Sequence, residues 1–266
     1  MGVLIVIPAR YASTRYPGKP LVALRGANGK SRSLVERSWR AAMAVSGADR
    51  VVVATEDESI RQAATDFGAE VVMTSDQCRN GTERCAEALD RLGGGYDIVV
   101  NLQGDAPLTP AWFVEDLVAG LRAAPTADIA TPVLRCDGAM LAGLLADRKA
   151  GRVGGTTAVF GQDNRALYFS KEVVPFTGQI YAADAPTPVF HHVGVYAYRP
   201  AALAAYARWP VGPLEDLEKL EQLRFLEQGK WVLCVEVEAR GRQFWEVNNP
   251  EDVPRVEAMM KAMGTE

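Results

Sequence analysis

"VLIVIPARYASTRYPGKPL", running from Val3 to Leu21, decides the fold. Residues 3–7 are apolar throughout rather than alternating, the pattern of a strand buried on both faces of a mostly parallel sheet. The strand then opens at once into a loop that carries Arg10, Arg15 and Lys19 together with Pro17, Gly18 and Pro20. A structural turn does not need three cations, whereas a phosphate site does. Arginine offers a planar fork of donors and lysine a mobile point charge. Contacts of this kind to a charged group are each worth about 1.5–3 kcal/mol. The bland alternative is a solvated loop whose basic residues are incidental. Neither G-x-x-x-x-G-K-[ST] nor G-x-G-x-x-G occurs here, so the loop is not a Walker A or a dinucleotide fingerprint.

Outward from that stretch, strands and helices alternate. Residues 33–47 read as a helix with Ser33 as a possible N-cap and Gly47 closing it. Strands follow at 50–55 and 70–74, helices at 57–68 and 81–95, then a fourth strand with its loop at 97–105 and a helix over 110–124. In open parallel sheets ligands sit beyond the carboxyl ends of the strands. The Arg/Lys loop, "TED", "SDQCRNGTER" and "QGDAP" each follow a strand, so all four fall on one edge.

After about residue 150 the texture changes. Two strands with a turn at 162–164 are expected first, then a strand over 189–199. The segment 212–229 predicts one continuous helix, with Leu214, Leu217, Leu220, Leu223 and Leu226 on one stripe and the charged residues largely solvated. A last strand at 230–238 and a closing helix with Pro250 in its first turn complete the chain. The expectation is an α/β domain spanning 1–266, with a hairpin region inserted at 151–200.

The 266 residues are enough to bury about three quarters of the surface the unfolded chain exposes, without a disulfide or metal staple. The net charge of −4 argues against non-specific binding to nucleic acid or to a membrane surface, so an anion site must come from a local cluster. Cys78, Cys85, Cys136 and Cys234 contain no C-x-x-C and read as reduced thiols. His191 and His192 are adjacent, and neighbours in a strand point to opposite faces, which makes them a poor metal chelate. The apolar run at 3–7 reads as a buried strand rather than a signal peptide, and no window reaches the length of a membrane span, so a cytoplasmic location is expected.

Asp105 ends a buried strand beside the presumed phosphate loop, a position suited to holding Mg²⁺ against phosphate oxygens, or equally to capping a helix. Asn248, before the last helix, could cap that helix or offer a carbonyl oxygen to the same ion. Gln222, next to the leucine stripe, could point into a pocket.

"IPARYASTRYPGKPL", "GTERCAEAL", "NLQGDAPL", "ALYFSK", "HHVGVYAYR", "PLEDLEKLEQLRFLEQG" and "NNPEDV" occur in an order that resembles the CTP:3-deoxy-manno-octulosonate (Kdo) cytidylyltransferases over essentially the whole chain. The resemblance implies a nucleotidyltransferase α/β fold, a homodimer, and Mg²⁺-dependent transfer of CMP from CTP to the anomeric hydroxyl of Kdo. It implies that Arg10, Arg15 and Lys19 grip the triphosphate, that Gly81, Thr82 and Arg84 belong to the cytidine pocket, and that Asp105 and Asn248 hold the metal. Gln103, His192, Tyr196, Glu215 and Gln222 resemble the side that takes the acidic sugar. Lys171 replaces an arginine and would meet the acceptor's carboxylate, and 151–200 resembles the region through which subunits pair.

Several positions depart from the family pattern: Cys78 and Asn80 replace a histidine and a serine, Ala106 a glutamate, Thr157 a lysine and Asn248 an aspartate. These leave open a rival acceptor, such as another ulosonic acid, an amino-Kdo or a carboxylated phosphonate. A non-catalytic nucleotide-binding relative is a second alternative. A glycosyltransferase would place a D-x-D where this chain reads "GDAP".

Overall fold

The computed structural model describes residues 2–12, 16–153, 155–242, 247 and 249–266. In chain order the elements are β1 (Val3–Pro8), β2 (Ala23–Arg25), β3 (Ser31–Ser33), α1 (Leu34–Met43), β4 (Arg50–Thr55), α2 (Glu58–Asp66), β5 (Glu70–Met73), α3 (Gly81–Arg91), β6 (Ile98–Leu102) and α4 (Ala111–Ala123). They continue with β7 (Ile129–Asp137), α5 (Gly138–Lys149), β8 (Thr156–Phe160), β9 (Ala166–Ser170), β10 (Pro186–His192), β11 (Val195–Tyr198), α6 (Pro200–Tyr206), α7 (Pro213–Glu218), α8 (Leu223–Glu227), β12 (Val232–Glu236) and α9 (Asp252–Ala262). The fold is mixed α/β, and the chain packs as two compact units.

The first unit comprises Met1–Glu115, Ala197–Ala207 and Ala239–Glu266. Its strands β5, β4, β1 and β6 lie in that order and run parallel, with Val6 level with both Val52 and Asn101. Every residue of β1 before Pro8 is buried, as its unbroken apolar run requires. The unit's helices α1, α2 and α3 start where side chains satisfy their first amides. Ser33 accepts from the Glu36 N–H, Asp57 from Ser59 and Ile60, and Asn80 from Glu83. Such caps pin the loop ends that precede them, which is how the sheet's carboxyl edge is held in shape.

The second unit comprises Asp116–Tyr196 and Arg208–Glu238. Here β7 pairs with β12 in parallel and with β10 in antiparallel fashion, and β8 and β9 extend the antiparallel side. The β8–β9 turn falls at the expected place, with Asn164 left-handed (φ 60°) and the Gly161 N–H bonded to the Arg165 carbonyl at 2.9 Å.

Two expected elements are corrected. The helix over 212–229 is broken: Lys219 adopts φ 54°, its N–H bonds back to the Glu215 carbonyl, and α8 begins only at Leu223. The leucine stripe is not the buried face, because Leu217 is 80 % exposed while Glu215, Gln222 and Arg224 are buried. The reason is geometric. At about 100° per residue, positions nine apart on a straight helix point to opposite sides. The break lets Glu215 and Arg224 meet. The strand expected at 189–199 is likewise two strands. The Val193 N–H turns to the Pro132 carbonyl and the Val195 N–H to the Val193 carbonyl, a three-residue turn that ends one ladder and starts the next.

The closing helix starts at Asp252, two residues later than Pro250. The short β2–β3 ladder, β7 and α5 had no counterpart in the sequence reading. No helix among the described residues is long and apolar enough to cross a membrane.

Candidate active site

The first unit gathers the cationic loop and its carboxylate. Gly18, at φ 69°, lets the chain double back so that its N–H meets the Tyr11 carbonyl at 2.9 Å. A single 3₁₀ turn, Lys19–Leu21, follows directly. This brings the Lys19 Nζ to 2.6 Å from the Asp105 Oδ2, with the two side chains 12 % and 22 % exposed. Arg10 is exposed, two residues past the end of β1. Arg15 and Asn248 lie outside the described residues.

Asp105 is held by its own backbone. The preceding Gly104 passes so close to β1 that a Cβ there would sit 2.8 Å from the Pro8 carbonyl oxygen, and its own carbonyl accepts from the Ser38 hydroxyl at 3.1 Å. The Asp105 carbonyl accepts from the Val247 N–H at 3.0 Å. Gln103, half-buried, lies between β6 and this turn, its carbonyl accepting from Ala106 N–H at 3.2 Å. Ala106 is itself 7 % exposed, so a longer acidic side chain would have to find room.

The N-terminus of α3 forms the neighbouring wall. The Thr82 hydroxyl lies 2.8 Å from the Tyr198 hydroxyl, which also receives Asn101 Nδ2 at 3.5 Å, and Asn80 donates to the Tyr206 hydroxyl at 2.8 Å. Asn80 therefore does the capping work a serine would do and adds a second bond. Arg84, 3 % exposed, directs its guanidinium at protein groups: the Glu56 carboxylate at 2.8 Å, the Thr74 hydroxyl and the Ser75 carbonyl. Cys78 bonds Glu87 at 3.1 Å, and burial pushes its thiol up to about 12, so it is not a thiolate near neutrality.

The second unit gathers another cluster. The His192 Nε2 lies 2.9 Å from the Thr131 hydroxyl, whose single proton is committed to the Val195 carbonyl at 2.9 Å. The network therefore assigns the imidazole proton to Nε2. Burial, then His191, depresses His192 to about 3, so it is a neutral ring packed edge-on to Phe169 and against Tyr196. The Tyr196 hydroxyl donates to Gln222 Oε1 at 3.0 Å, and Gln222 Nε2 is buried with no partner among the described residues.

Glu215 gives both oxygens to Arg224, at 2.5 and 2.7 Å. Lys171, just past β9, is held through its N–H by Glu218 at 3.0 Å, and Glu218 also accepts from the Ser170 hydroxyl. Thr157 is fully buried, its hydroxyl donating to the Glu172 carbonyl and accepting from the Val174 N–H.

Sequence reasoning missed Glu56, Glu218, Asn101 and Tyr198. Glu56 had a signal in "TED" at the sheet edge. Glu218 looked like one more solvated helical charge until the break at Lys219 turned it inward.

Among the described residues no cluster of three or more His, Cys, Asp or Glu is arranged to hold a metal. A loop lysine paired with a carboxylate at the carboxyl edge of a parallel sheet marks a nucleotide-handling α/β protein. The cytidylyltransferase family model matches residues 4–233. A 3-deoxy-manno-octulosonate cytidylyltransferase of Maricaulis maris is 46 % identical over 99 % of both chains, and one of Chlamydia pneumoniae is 41 % identical over 95 % of this chain and 91 % of the other. A solved CMP:2-keto-3-deoxy-manno-octonic acid synthetase complexed with CTP is 32 % identical with a TM-score of 0.82, over 99 % of this chain and 100 % of that one. The chain belongs to the cytidylyltransferase family, among the 3-deoxy-manno-octulosonate cytidylyltransferases.

Proposed function

We propose that the protein transfers CMP from CTP to the anomeric hydroxyl of Kdo, releasing pyrophosphate. The observation that carries this reading is the convergence of Lys19 on Asp105 at the sheet's carboxyl edge, on the loop that also carries Arg10. The names of the relatives, at 46 % and 41 % identity over nearly the whole chain, support the same substrates. So does the solved structure with CTP bound.

In this mechanism Arg10, Arg15 and Lys19 bind the triphosphate and stabilise charge that builds on it as the acceptor oxygen attacks the α-phosphorus in line. Thr82 and Gly81, at the capped start of α3, orient the cytidine, with Arg84 fixing that wall from behind. The neutral His192, Tyr196 and the open amide of Gln222 orient the sugar's hydroxyls, joined by Gln103, while Glu215 shapes that surface through Arg224. Lys171 meets the carboxylate.

Asp105 is a hard oxygen donor that is partly exposed, and it fits Mg²⁺, which takes one or two carboxylates and completes its shell with waters and phosphate oxygens. Asn248 would add a neutral oxygen. When bound, the ion supplies Lewis-acid polarisation of the phosphate.

Thr157 stands where a lysine is usual, and its hydroxyl is spent on backbone groups, so it offers no side-chain hydrogen bond to an acceptor. The relatives' names favour Kdo over the rival acids. We also propose a cytoplasmic homodimer that pairs through 151–200. Leu167, Phe176 and Ile180 in that segment are 63 %, 94 % and 102 % exposed, large apolar side chains that a second copy would cover.

Pyrophosphate release from CTP and Mg²⁺, assayed with Kdo and beside it with competing ulosonic acids, tests the reading. Release that needs Kdo supports it. CTP binding without release on Kdo, but with release on a rival acid, would replace the acceptor and keep the chemistry.

A further inference from the structure

Glu56 sits between the end of β4 and the N-cap of α2, 45 residues from the cationic loop in sequence. Its Oε1 accepts the Tyr11 N–H at 3.0 Å and its Oε2 lies 2.8 Å from the Arg84 Nη2. The carboxylate is 15 % exposed and the guanidinium 4 %. A guanidinium so buried needs a carboxylate against it, and here the same carboxylate is also spent on a backbone amide of the loop. Tyr11 is thus held at both polar groups of its backbone, since its carbonyl accepts the Gly18 N–H. Beside it in sequence is Arg10, whose long side chain is exposed and takes its direction from this backbone.

We propose that Glu56 is a positioning residue of the nucleotide site, fixing the Arg10–Tyr11 backbone against the buried Arg84 of α3 so that Arg10 is aimed at the outer phosphates of the nucleotide. The proposal rests on the reading of Arg10 as a triphosphate contact. Glu56 itself touches no substrate. Its Oε1 takes a charge-assisted hydrogen bond from the Tyr11 N–H while its Oε2 faces Arg84 as an ion pair, so it reaches two elements that carry different halves of the nucleotide site.

The test compares calorimetric titrations with CTP and with CMP, because changes confined to the base pocket cancel in the ratio of the two affinities. Glu56→Ala removes both contacts, and the CTP-over-CMP preference is expected to fall about 10-fold or more. Glu56→Gln keeps an oxygen for the Tyr11 N–H but loses the charge in both contacts, so the preference is expected to fall by clearly less than in Glu56→Ala. Thermal melts will drop for both variants, which is why stability is not the readout.

A second pair reads the same contact without disturbing Arg84. Tyr11→Pro deletes the N–H and should lose the preference, whereas Tyr11→Ala retains the N–H and should keep it. An unchanged ratio in Glu56→Ala, an equal loss in Glu56→Gln, or equal behaviour of the two Tyr11 variants overturns the proposal. Wild-type protein that binds CTP no better than CMP overturns the phosphate-loop reading itself, which separates the two failures.

Discussion

The Lys19 ammonium lies 2.6 Å from the Asp105 carboxylate although 86 residues separate them in sequence. The pair exists because two loops that leave neighbouring parallel strands, β1 and β6, turn over the same edge. Gly104 allows the second loop to graze the end of β1, and Gly18 folds the first loop back on itself. Each charge therefore holds the other in place, at a site where the proposed reaction needs both.

Replacing Asp105 with Ala removes the carboxylate that pairs with Lys19 and frees that ammonium, while both loop cations stay in the chain. Turnover, followed as pyrophosphate release, is expected to fall about 10²–10³-fold. CTP affinity, followed by calorimetry in parallel, is expected to persist. Full activity in the variant would remove Asp105 from the mechanism.

The buried Glu215–Arg224 pair makes a different prediction. Arg224 is fully buried and both of its bonds to Glu215 are short. Truncating Glu215 to Ala strands a buried cation, and unfolding in urea should show a loss of about 3–5 kcal/mol. Replacing both at once, Glu215→Leu with Arg224→Met, should recover most of that loss, since no lone charge remains. If the single variant is as stable as wild type, the pair is not holding α7 to α8.

The same pair shows where sequence reading stopped. The parallel βα repeats of the first unit were legible because β1 is an unbroken apolar run, β4, β5 and β6 are apolar at their centres, and α1, α2 and α3 open on capping residues. Both signals are local. The 212–229 segment carries a strong local helix pattern, and a tertiary demand overrode it: two charged residues nine positions apart had to face each other. Three-residue strands such as β2 and β3 are too short to show a period. At the site, Lys19 and Asp105 were legible from residue type at a strand's end, whereas Glu56 and Tyr198 act through pairings that only the folded chain creates.

His191 and His192 are both held neutral by burial, at about 4 and about 3 against an ordinary value of 6.5. Above pH 6.5 they are neutral in folded and unfolded chains alike and contribute no pH dependence. Below it the unfolded chain takes up protons that the folded chain refuses, so acid destabilises. Each should cost about 1 kcal/mol per pH unit, and the two together about twice that, over roughly pH 6 to 4. Urea midpoints measured across that range check the slope, and His191→Gln should reduce it by about half. A flat profile would mean that these rings titrate in the native state.

Gln222 spends its carbonyl on the Tyr196 hydroxyl and buries an amide nitrogen that has no partner among the described residues. An unmet buried donor costs about 1–3 kcal/mol. Gln222→Leu removes that donor at similar volume, but it also strips the Tyr196 hydroxyl of its acceptor, so the net change in unfolding free energy should be within about 1 kcal/mol. If the amide instead serves the acidic sugar, the KM for the acceptor should rise at least about 10-fold, the worth of one good hydrogen bond to a ligand. The KM for CTP should stay close to wild type. Steady-state kinetics with each substrate varied in turn, beside a urea melt, separate the two effects. A variant that loses stability and keeps its acceptor KM would make Gln222 part of the packing of Tyr196 and nothing more.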